Sequence, residues 1–302
     1  MRYTQITSAS NPKIKEALDI KNKRSKYKHT AFIIEGPHLV EMALASGNKI
    51  STAFFTDSFR AKKDGQKILR QLSIKSNKNN PPSPPRKFPH PPFAKGGQGG
   101  IKEGVPGGFS GEIFEVTEQI MRKLADTEAP QGIIATASYA EKNLEEIRFK
   151  SVPLIVAVDG VQEPGNLGTI IRTSDAAGAD AVIILKGTCD VFMQKTIRAT
   201  AGSIFNIPII YTGTDKFLDW LKSNGIMLLA TALDSGKSIF DTGLKKPAAF
   251  VFGNEAHGVS SEIKRKADLL LKIPIYGKAE SLNVSASAAV CLYETLRQRK
   301  TT

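Results

Sequence analysis

From Val152 onward the chain alternates between short apolar runs and segments whose apolar residues recur every three or four positions. The runs LIVAV, AVIIL, IMLLATA, AAFVFG and LLLKIPI are strand-length and nearly continuous, which predicts strands covered on both faces. Between them NLGTIIRTSDAAG, VFMQKTIRAT, KFLDWLKSN, SSEIKRKA and the terminal NVSASAAVCLYETLRQRK carry helical spacing. Asn166 is placed as the N-cap of the first of these helices and Gly178 as its stop. Strands alternating with helices predict a mostly parallel sheet with helices on both faces. Ligands of such sheets bind beyond the carboxyl ends of the strands. The loops EPGNLG, GNEAHG and YGKAESLN are all expected at that end.

Residues 1–140 repeat the alternation on a smaller scale. NPKIKEALDIKNKRSKYK, GPHLVEMALASG, KKDGQKILRQL and TEQIMRKLAD read as helices; AFIIE, ISTAFFT, EIFEV and GIIATAS read as strands. A small N-terminal α/β domain follows. One segment breaks it: residues 75–111 hold eight prolines and eight glycines and few large apolar residues. That composition supports neither helix nor central strand and reads as a disordered insertion; a proline-rich ligand or an extra RNA-binding arm is the alternative reading. A polar stretch, residues 141–151, reads as a linker to a second domain of residues 152–302. The fold class is α/β throughout.

Composition narrows the function. Apolar residues make up 41% and charged residues 24% of the 302, enough for ordinary cores. No apolar run reaches the length of a membrane span, and MRYTQITSASNPKIK lacks the apolar stretch of a secretory signal, so a cytoplasmic protein is expected. Two cysteines, Cys189 and Cys291, and four histidines (His29, His38, His90, His257) show no metal-ligand spacing, so no metal is expected. The net charge is +13, of which residues 1–30 carry +6 and residues 75–111 carry +5. Lys13, Lys21, Lys23, Arg24 and Lys26 are therefore candidate RNA-backbone contacts. A solvated basic helix face is the competing reading.

Familiar nucleotide motifs are absent or decoys. No G-x-G-x-x-G follows a strand, Ser235–Ser238 lacks the first P-loop glycine, and the sequon at Asn283 has no secretory context. What remains are three polar clusters in an apolar framework. Asp159–Arg172 combines Gly165 and Gly168 with the donors Asn166 and Arg172. Gly253–Gly258 carries one carboxylate, Glu255, in a small-residue loop. Ser281–Ser285 interleaves polar and apolar groups at a helix start. Taken singly, Asn166 and Asn283 could be mere N-caps, Arg172 a surface cation and Glu255 a first-turn acid. Their convergence on one end of one sheet favours a site.

PGNLGTIIRTSDAAGA, VFGNEAHGVS and IPIYGKAESLNVSASAAVCLYE resemble, in order and spacing, the three motifs of the SpoU/TrmH group of SPOUT RNA methyltransferases. ITSASNPKIK, FIIEGPHLVEMALASG and KLADTEAPQG are similar to the ribosomal-protein-like substrate-binding domain that accompanies many of them. The resemblance implies a C-terminal trefoil knot, which general topology rules would have argued against. It implies methyl transfer from S-adenosyl-L-methionine to a ribose 2′-hydroxyl of RNA, most simply rRNA, by a homodimer paired through the C-terminal domain. Carried over by motif, Asn166, Arg172, Glu255, Ser281 and Asn283 are the catalytic and structural polar positions. Gly253, Ile273 and Leu282 line the cofactor site. Arg172 activates the hydroxyl in the family reading, yet a free guanidinium, with a pKa above about 12, is a poor base. A phosphate clamp and oxyanion stabiliser is an equal expectation. The alternative function is a non-catalytic RNA-binding or ribosome-assembly protein on the same scaffold.

Overall fold

The structure, a computed structural model, describes residues 3–22, 31–76, 111–232 and 235–300. The chain divides into two units, residues 1–140 and 141–302.

The first unit runs β1 (Thr4–Ile6), α1 (Pro12–Lys21), β2 (Ala31–Glu35), α2 (Pro37–Ala45), β3 (Ile50–Phe55), α3 (Asp57–Arg60), α4 (Lys63–Ser76), β4 (Glu112–Val116), α5 (Glu118–Leu124) and β5 (Ile133–Ser138). Its sheet has the order β1-β4-β3-β5-β2. β4 runs parallel to β1 and β3, and β5 antiparallel to β3 and β2. Side-chain caps start the helices: Asn11 accepts from Lys13 N at 2.9 Å with Pro12 just inside, and Thr56 and Thr117 cap α3 and α5. Ile14, Ala17 and Ile20 of α1 and Ile120, Met121 and Leu124 of α5 bury against Phe54 and Phe114 of the sheet. The expected insertion at 75–111 lies almost wholly outside the described residues, as do residues 23–28 of the expected basic helix.

The second unit runs β6 (Leu154–Asp159), α6 (Pro164–Ala176), β7 (Ala181–Ile184), α7 (Gln194–Ala199), β8 (Ile209–Tyr211), α8 (Thr214–Ser223), β9 (Met227–Thr231), β10 (Ala248–Gly253), α9 (Ser261–Lys266), β11 (Leu269–Leu271) and α10 (Val284–Lys300). The six strands are all parallel, in the order β11-β9-β10-β6-β7-β8. The direction of winding therefore reverses between β6 and β10, the position where open parallel sheets place their ligands. Leu144 and Ile147, in the stretch expected as a linker, are buried in this unit's core with Ile155, Ile183 and Val251.

Two local expectations are corrected. The N-cap of α6 is Glu163, not Asn166: Pro164, which has no N–H to satisfy, takes the first helical position, and the Glu163 carboxylate accepts from Gly165 N at 3.3 Å. The strand expected over LLLKIPI is confined to Leu269–Leu271, since Lys272 N already bonds Lys237 O and Pro274 has no N–H for a ladder. β1 and β8, three residues each, carry no alternation long enough to have been expected. Gly178, at φ +72°, does stop α6.

Candidate active site

β6 and β10 end level with each other, with Asp159 opposite Gly253, so the loops that leave them emerge side by side. Gly253 has no room for a side chain: a Cβ there would lie 2.1 Å from the Gly258 carbonyl carbon and 2.2 Å from Val259 N. That closeness lets the next five residues fold back on themselves. Asn254 N bonds Gly258 O at 2.9 Å and Gly258 N bonds Asn254 O at 2.8 Å, with Gly258 at φ +70° closing the turn. The Asn254 side chain ties this turn to the neighbouring loop. Its Nδ2 donates to Gly160 O at 2.9 Å, while its Oδ1 accepts from Ala256 N and His257 N at 2.9 and 3.1 Å.

This turn aims Glu255 at the start of α6. Its Oε2 accepts from Gln162 N at 3.1 Å, and its Oε1 accepts from Glu163 N at 3.1 Å and from Asn166 Nδ2 at 2.9 Å. Burial opposes ionisation of Glu255, but the Asn166 and backbone N–H donors outweigh it and hold the carboxyl below the usual carboxylate range. Asn166 Oδ1 in turn accepts from Asn283 Nδ2 at 3.0 Å. Asn283 Oδ1 caps α10, accepting from Ser285 N at 2.9 Å, Ser285 Oγ at 2.6 Å and Ala286 N at 3.4 Å. Three residues taken from three separate motifs thus form one connected chain. Beside it, Lys195 of α7 donates to Glu163 at 2.6 Å, and that bond together with the Gly165 N–H holds Glu163 low as well.

The other site residues expected from sequence are placed less tightly. Arg172 lies six residues beyond Asn166 on α6, exposed and without a hydrogen-bond or ionic partner among the described residues. Ser281 and Leu282 directly precede Asn283 and are exposed, Leu282 to 40%. Ile273 is half-buried just beyond β11. Among the described residues the backbone groups of 273–282 find no partner elsewhere in the chain. Free backbone donors and acceptors beside Ile273 and Leu282 are the donor set an adenosine needs, with apolar faces for the ring and hydrogen bonds for its edge. A groove of about 560 Å³ elsewhere on this unit, lined by Leu144, Phe149, Lys216 and Trp220, includes no residue of the three loops.

Both cysteines are kept as thiols: burial and the negative charge of Glu255 and Asp190 push Cys189 up to about 11, and burial pushes Cys291 up to about 12. Among the described residues no group of three or more His, Cys, Asp or Glu could hold a metal ion, and no helix is long and apolar enough to cross a membrane. In the first unit, Lys13 pairs with Glu112, and Lys21 donates to the carbonyls of Ala125 and, at 3.1 Å, Lys123. Lys23, Arg24 and Lys26 lie outside the described residues. Sequence reasoning passed over α4, whose exposed Lys63, Lys67 and Arg70 form a stripe opposite buried Ile68, Leu69 and Leu72. Lys67 pairs with Glu41, while Lys63 and Arg70 have no partner among the described residues. The spacing of KKDGQKILRQL carried that signal. It also passed over Lys195, which no local pattern marks, and left Asn254, inside the Gly253–Gly258 cluster, without a role.

Residues 153–293 match the SpoU rRNA methylase family, and residues 11–78 match the MRM3-like substrate binding domain. The chain is 33% identical, over 96% of its own length and 98% of the relative's, to the 23S rRNA (guanosine(2553)-2′-O)-methyltransferase RlmP of Bacillus subtilis. It is 37% identical to the 23S rRNA (guanosine-2′-O-)-methyltransferase RlmB of Haemophilus influenzae, over 61% of this chain and 78% of that one. The crystal structure of an AdoMet-bound rRNA methyltransferase from Sinorhizobium meliloti superposes with a TM-score of 0.77, at 29% identity and 98% coverage of both chains. With the three motif loops meeting at the β6–β10 switch point and a relative matched end to end, the chain belongs to the SpoU rRNA methylase family.

Proposed function

We propose that this protein transfers a methyl group from S-adenosyl-L-methionine to a ribose 2′-hydroxyl of 23S rRNA, with a guanosine as the target nucleoside. The observation that carries the reading is the Glu255–Asn166–Asn283 chain, which joins all three motifs at the carboxyl ends of β6 and β10. The match to a guanosine methyltransferase over nearly the whole chain supports the substrate. When bound, the cofactor supplies a methyl on a sulfonium, already a good electrophile. Gly253, Ile273 and Leu282 hold its adenosine, through backbone groups and apolar contact. Asn166, Ser281 and Asn283 orient the ribose, and Glu255 holds Asn166. Arg172, exposed and unpaired, clamps an RNA phosphate and stabilises the oxyanion as the 2′-hydroxyl loses its proton. Alignment of the hydroxyl oxygen alone is worth up to about 7–11 kcal/mol.

In this reading the C-terminal segment threads a trefoil knot and two copies pair through the second unit, in the cytoplasm where ribosomal RNA is modified. The first unit and the basic residues Lys23, Arg24 and Lys26 hold the RNA, with Lys13 and Lys21 contributing less because each already has a protein partner. The test maps 2′-O-methyl sites in 23S rRNA from a deletion strain, then restores the gene. One guanosine should lose its methyl and regain it with the parent protein, but not with Arg172→Ala. That variant should bind S-adenosylmethionine within about twofold of the parent, because its assigned role lies on the RNA side. No change at any site, and no transfer to rRNA in vitro, would instead favour a non-catalytic RNA-binding role.

A further inference from the structure

A side-chain amide fits a pocket either way round, and only its hydrogen-bond partners decide which end is the donor. In the chain that joins the three loops both ends are decided. At one end Glu255 is a carboxylate and can only accept, so Asn166 must turn its Nδ2 toward it, at 2.9 Å. At the other end the backbone N–H groups of Ser285 and Ala286 demand an acceptor, so Asn283 must turn its Oδ1 toward the helix, at 2.9 and 3.4 Å. The middle bond, Asn283 Nδ2 to Asn166 Oδ1 at 3.0 Å, is the only arrangement compatible with both ends. Each amide then has one N–H spent within the chain. Among the described residues the second N–H of each has no partner.

We propose that Glu255 is a positioning residue whose negative charge sets the direction of this three-residue chain, so that Asn166 and Asn283 present their spare N–H groups, not their oxygens, to the reacting ribose and cofactor. The inference rests on the methyltransferase reading and adds to it a cause for the orientation of two of its residues. Donors held in advance toward oxygen that gains negative charge are the arrangement that transition-state stabilisation requires. Reversing an amide would put a carbonyl oxygen there instead.

Direction of this kind has a genetic signature, because a mismatch can be moved along the chain but not removed by flipping amides. With Asn283→Asp, carboxylates stand on both sides of Asn166, which can donate to only one of them. An acceptor–acceptor contact remains whichever way Asn166 turns. Adding Glu255→Gln supplies a donor at that end, and the chain can run the other way: Gln to Asn166 Oδ1, then Asn166 Nδ2 to the new Asp. An aspartate caps a helix as well as an asparagine does, so α10 keeps its start. Glutamine has one oxygen where Glu255 uses two to accept three N–H groups, so the double variant still leaves a backbone N–H short of an acceptor. The recovery of stability is therefore partial, and the donors toward the ribose are not recovered.

The test compares the parent, E255Q, N283D and the double variant in single-turnover methyl transfer from pH ~5 to ~8, with the S-adenosylmethionine Kd and Tm of each. Each single substitution should slow transfer about ten- to a hundredfold at neutral pH, the effect expected for one opposed or unsatisfied polar pair. The rate of N283D should climb as pH falls, because protonating one of its two carboxyls makes a donor toward Asn166. E255Q should recover part of the Tm lost in N283D and abolish that climb but leave its rate at least about tenfold below the parent's, because the reversed chain turns the carbonyl oxygen of Asn166 to the site. Other ionisable groups near the chain are Glu163 with its partner Lys195, Cys189 and Asp190 beside them, His257 in the Glu255 loop, Arg172 on α6, and Lys278 and Glu280 ahead of Asn283. All four proteins share them, so a pH response peculiar to N283D belongs to its two carboxyls. A double variant that transfers methyl as fast as the parent, or an N283D rate that does not climb toward acid, would overturn the proposal. Rescue of rate together with Tm would also overturn it, by making the chain a structural clasp whose direction does not reach the ribose. If the parent transferred no methyl to any RNA, the methyltransferase reading itself would fall, a result separable from these comparisons because Tm needs no RNA.

Discussion

Arg299, one residue before the end of α10, donates to four carbonyls: Val152 O at 2.8 Å, Pro153 O at 3.1 Å, Leu244 O at 3.0 Å and Lys246 O at 2.7 Å. Those carbonyls belong to the chain entering β6 and β10, the two strands that carry the site at their other ends. A guanidinium is the side chain with enough donors, in a fixed fork, to serve four acceptors. Truncation to alanine takes a donor from each, but the Val152 and Lys246 carbonyls lie at the surface, where water replaces it, and Pro153 O keeps the Ala248 N–H at 3.1 Å. The half-buried bonds to Leu244 and Pro153 are the ones that count, the Leu244 carbonyl most, since it alone of the two is left with no donor among the described residues. With charge-assisted bonds at about 1.5–3 kcal/mol each and only partial additivity, Arg299→Ala should destabilise the second unit by about 2–4 kcal/mol. For a unit of this size that is a Tm lowered by about 5–15 °C. Differential scanning calorimetry of the intact chain would read it in the transition that moves upward with S-adenosylmethionine. Arg299→Lys should fall between the two, since an ammonium keeps the charge and loses the fork. Below its melting range the alanine variant should turn over normally, because α10 separates Arg299 from Asn283 by about 25 Å. A Tm within about 1 °C of the parent would refute the reasoning and mean that these carbonyls are satisfied by something else.

Three further outcomes are expected. Gly253→Ala drives a methyl into the Gly258–Val259 backbone, so Tm should drop by about 2–10 °C and cofactor affinity should fall with it; an unchanged melt would show that the turn has room. The folded pKa of Glu255 is depressed, so its stabilisation is complete above the unfolded value near 4.3 and is lost as pH falls through the lower folded value; the Tm difference between parent and Glu255→Gln should hold from about pH 8 to about 5 and shrink below about 4. Neutralising Lys23, Arg24 and Lys26 together should weaken RNA binding and flatten its log–log salt dependence by roughly 0.7–0.9 for each phosphate left without a cation, with the S-adenosylmethionine Kd unchanged; an unaltered slope would move the RNA surface elsewhere, with Lys63 and Arg70 of α4 the next bases to neutralise.

Local period and turn chemistry carry most of the fold, which is why the principal strands and helices and the stop at Gly178 were legible in the sequence. What escaped was decided by contacts distant in sequence or by too short a stretch. β8 is three residues after Pro208, shorter than one cycle of any pattern, and is a strand because Val182 and Ile184 offer it a ladder. Asn166 has the composition of an N-cap and the right place before an apolar run, yet Pro164 two residues earlier claims the helix start. The proline was the better signal, and heeding it would have left Asn166 free for another partner. That partner, Glu255, is 89 residues away, and two of the three donors on Glu255 are backbone groups that leave no trace in side-chain spacing. Lys13 and Lys21 counted toward a basic segment, but each finds its partner about a hundred residues on, at Glu112 and at the end of α5. Charge totals therefore overstate the basic surface available to RNA wherever a fold pairs distant residues. The register of β6 against β10 shows the same rule at the site. Setting Asp159 level with Gly253 brings the Glu255 turn beside the start of α6, so one strand alignment, written nowhere in either loop, turns two separate motifs into one hydrogen-bonded group.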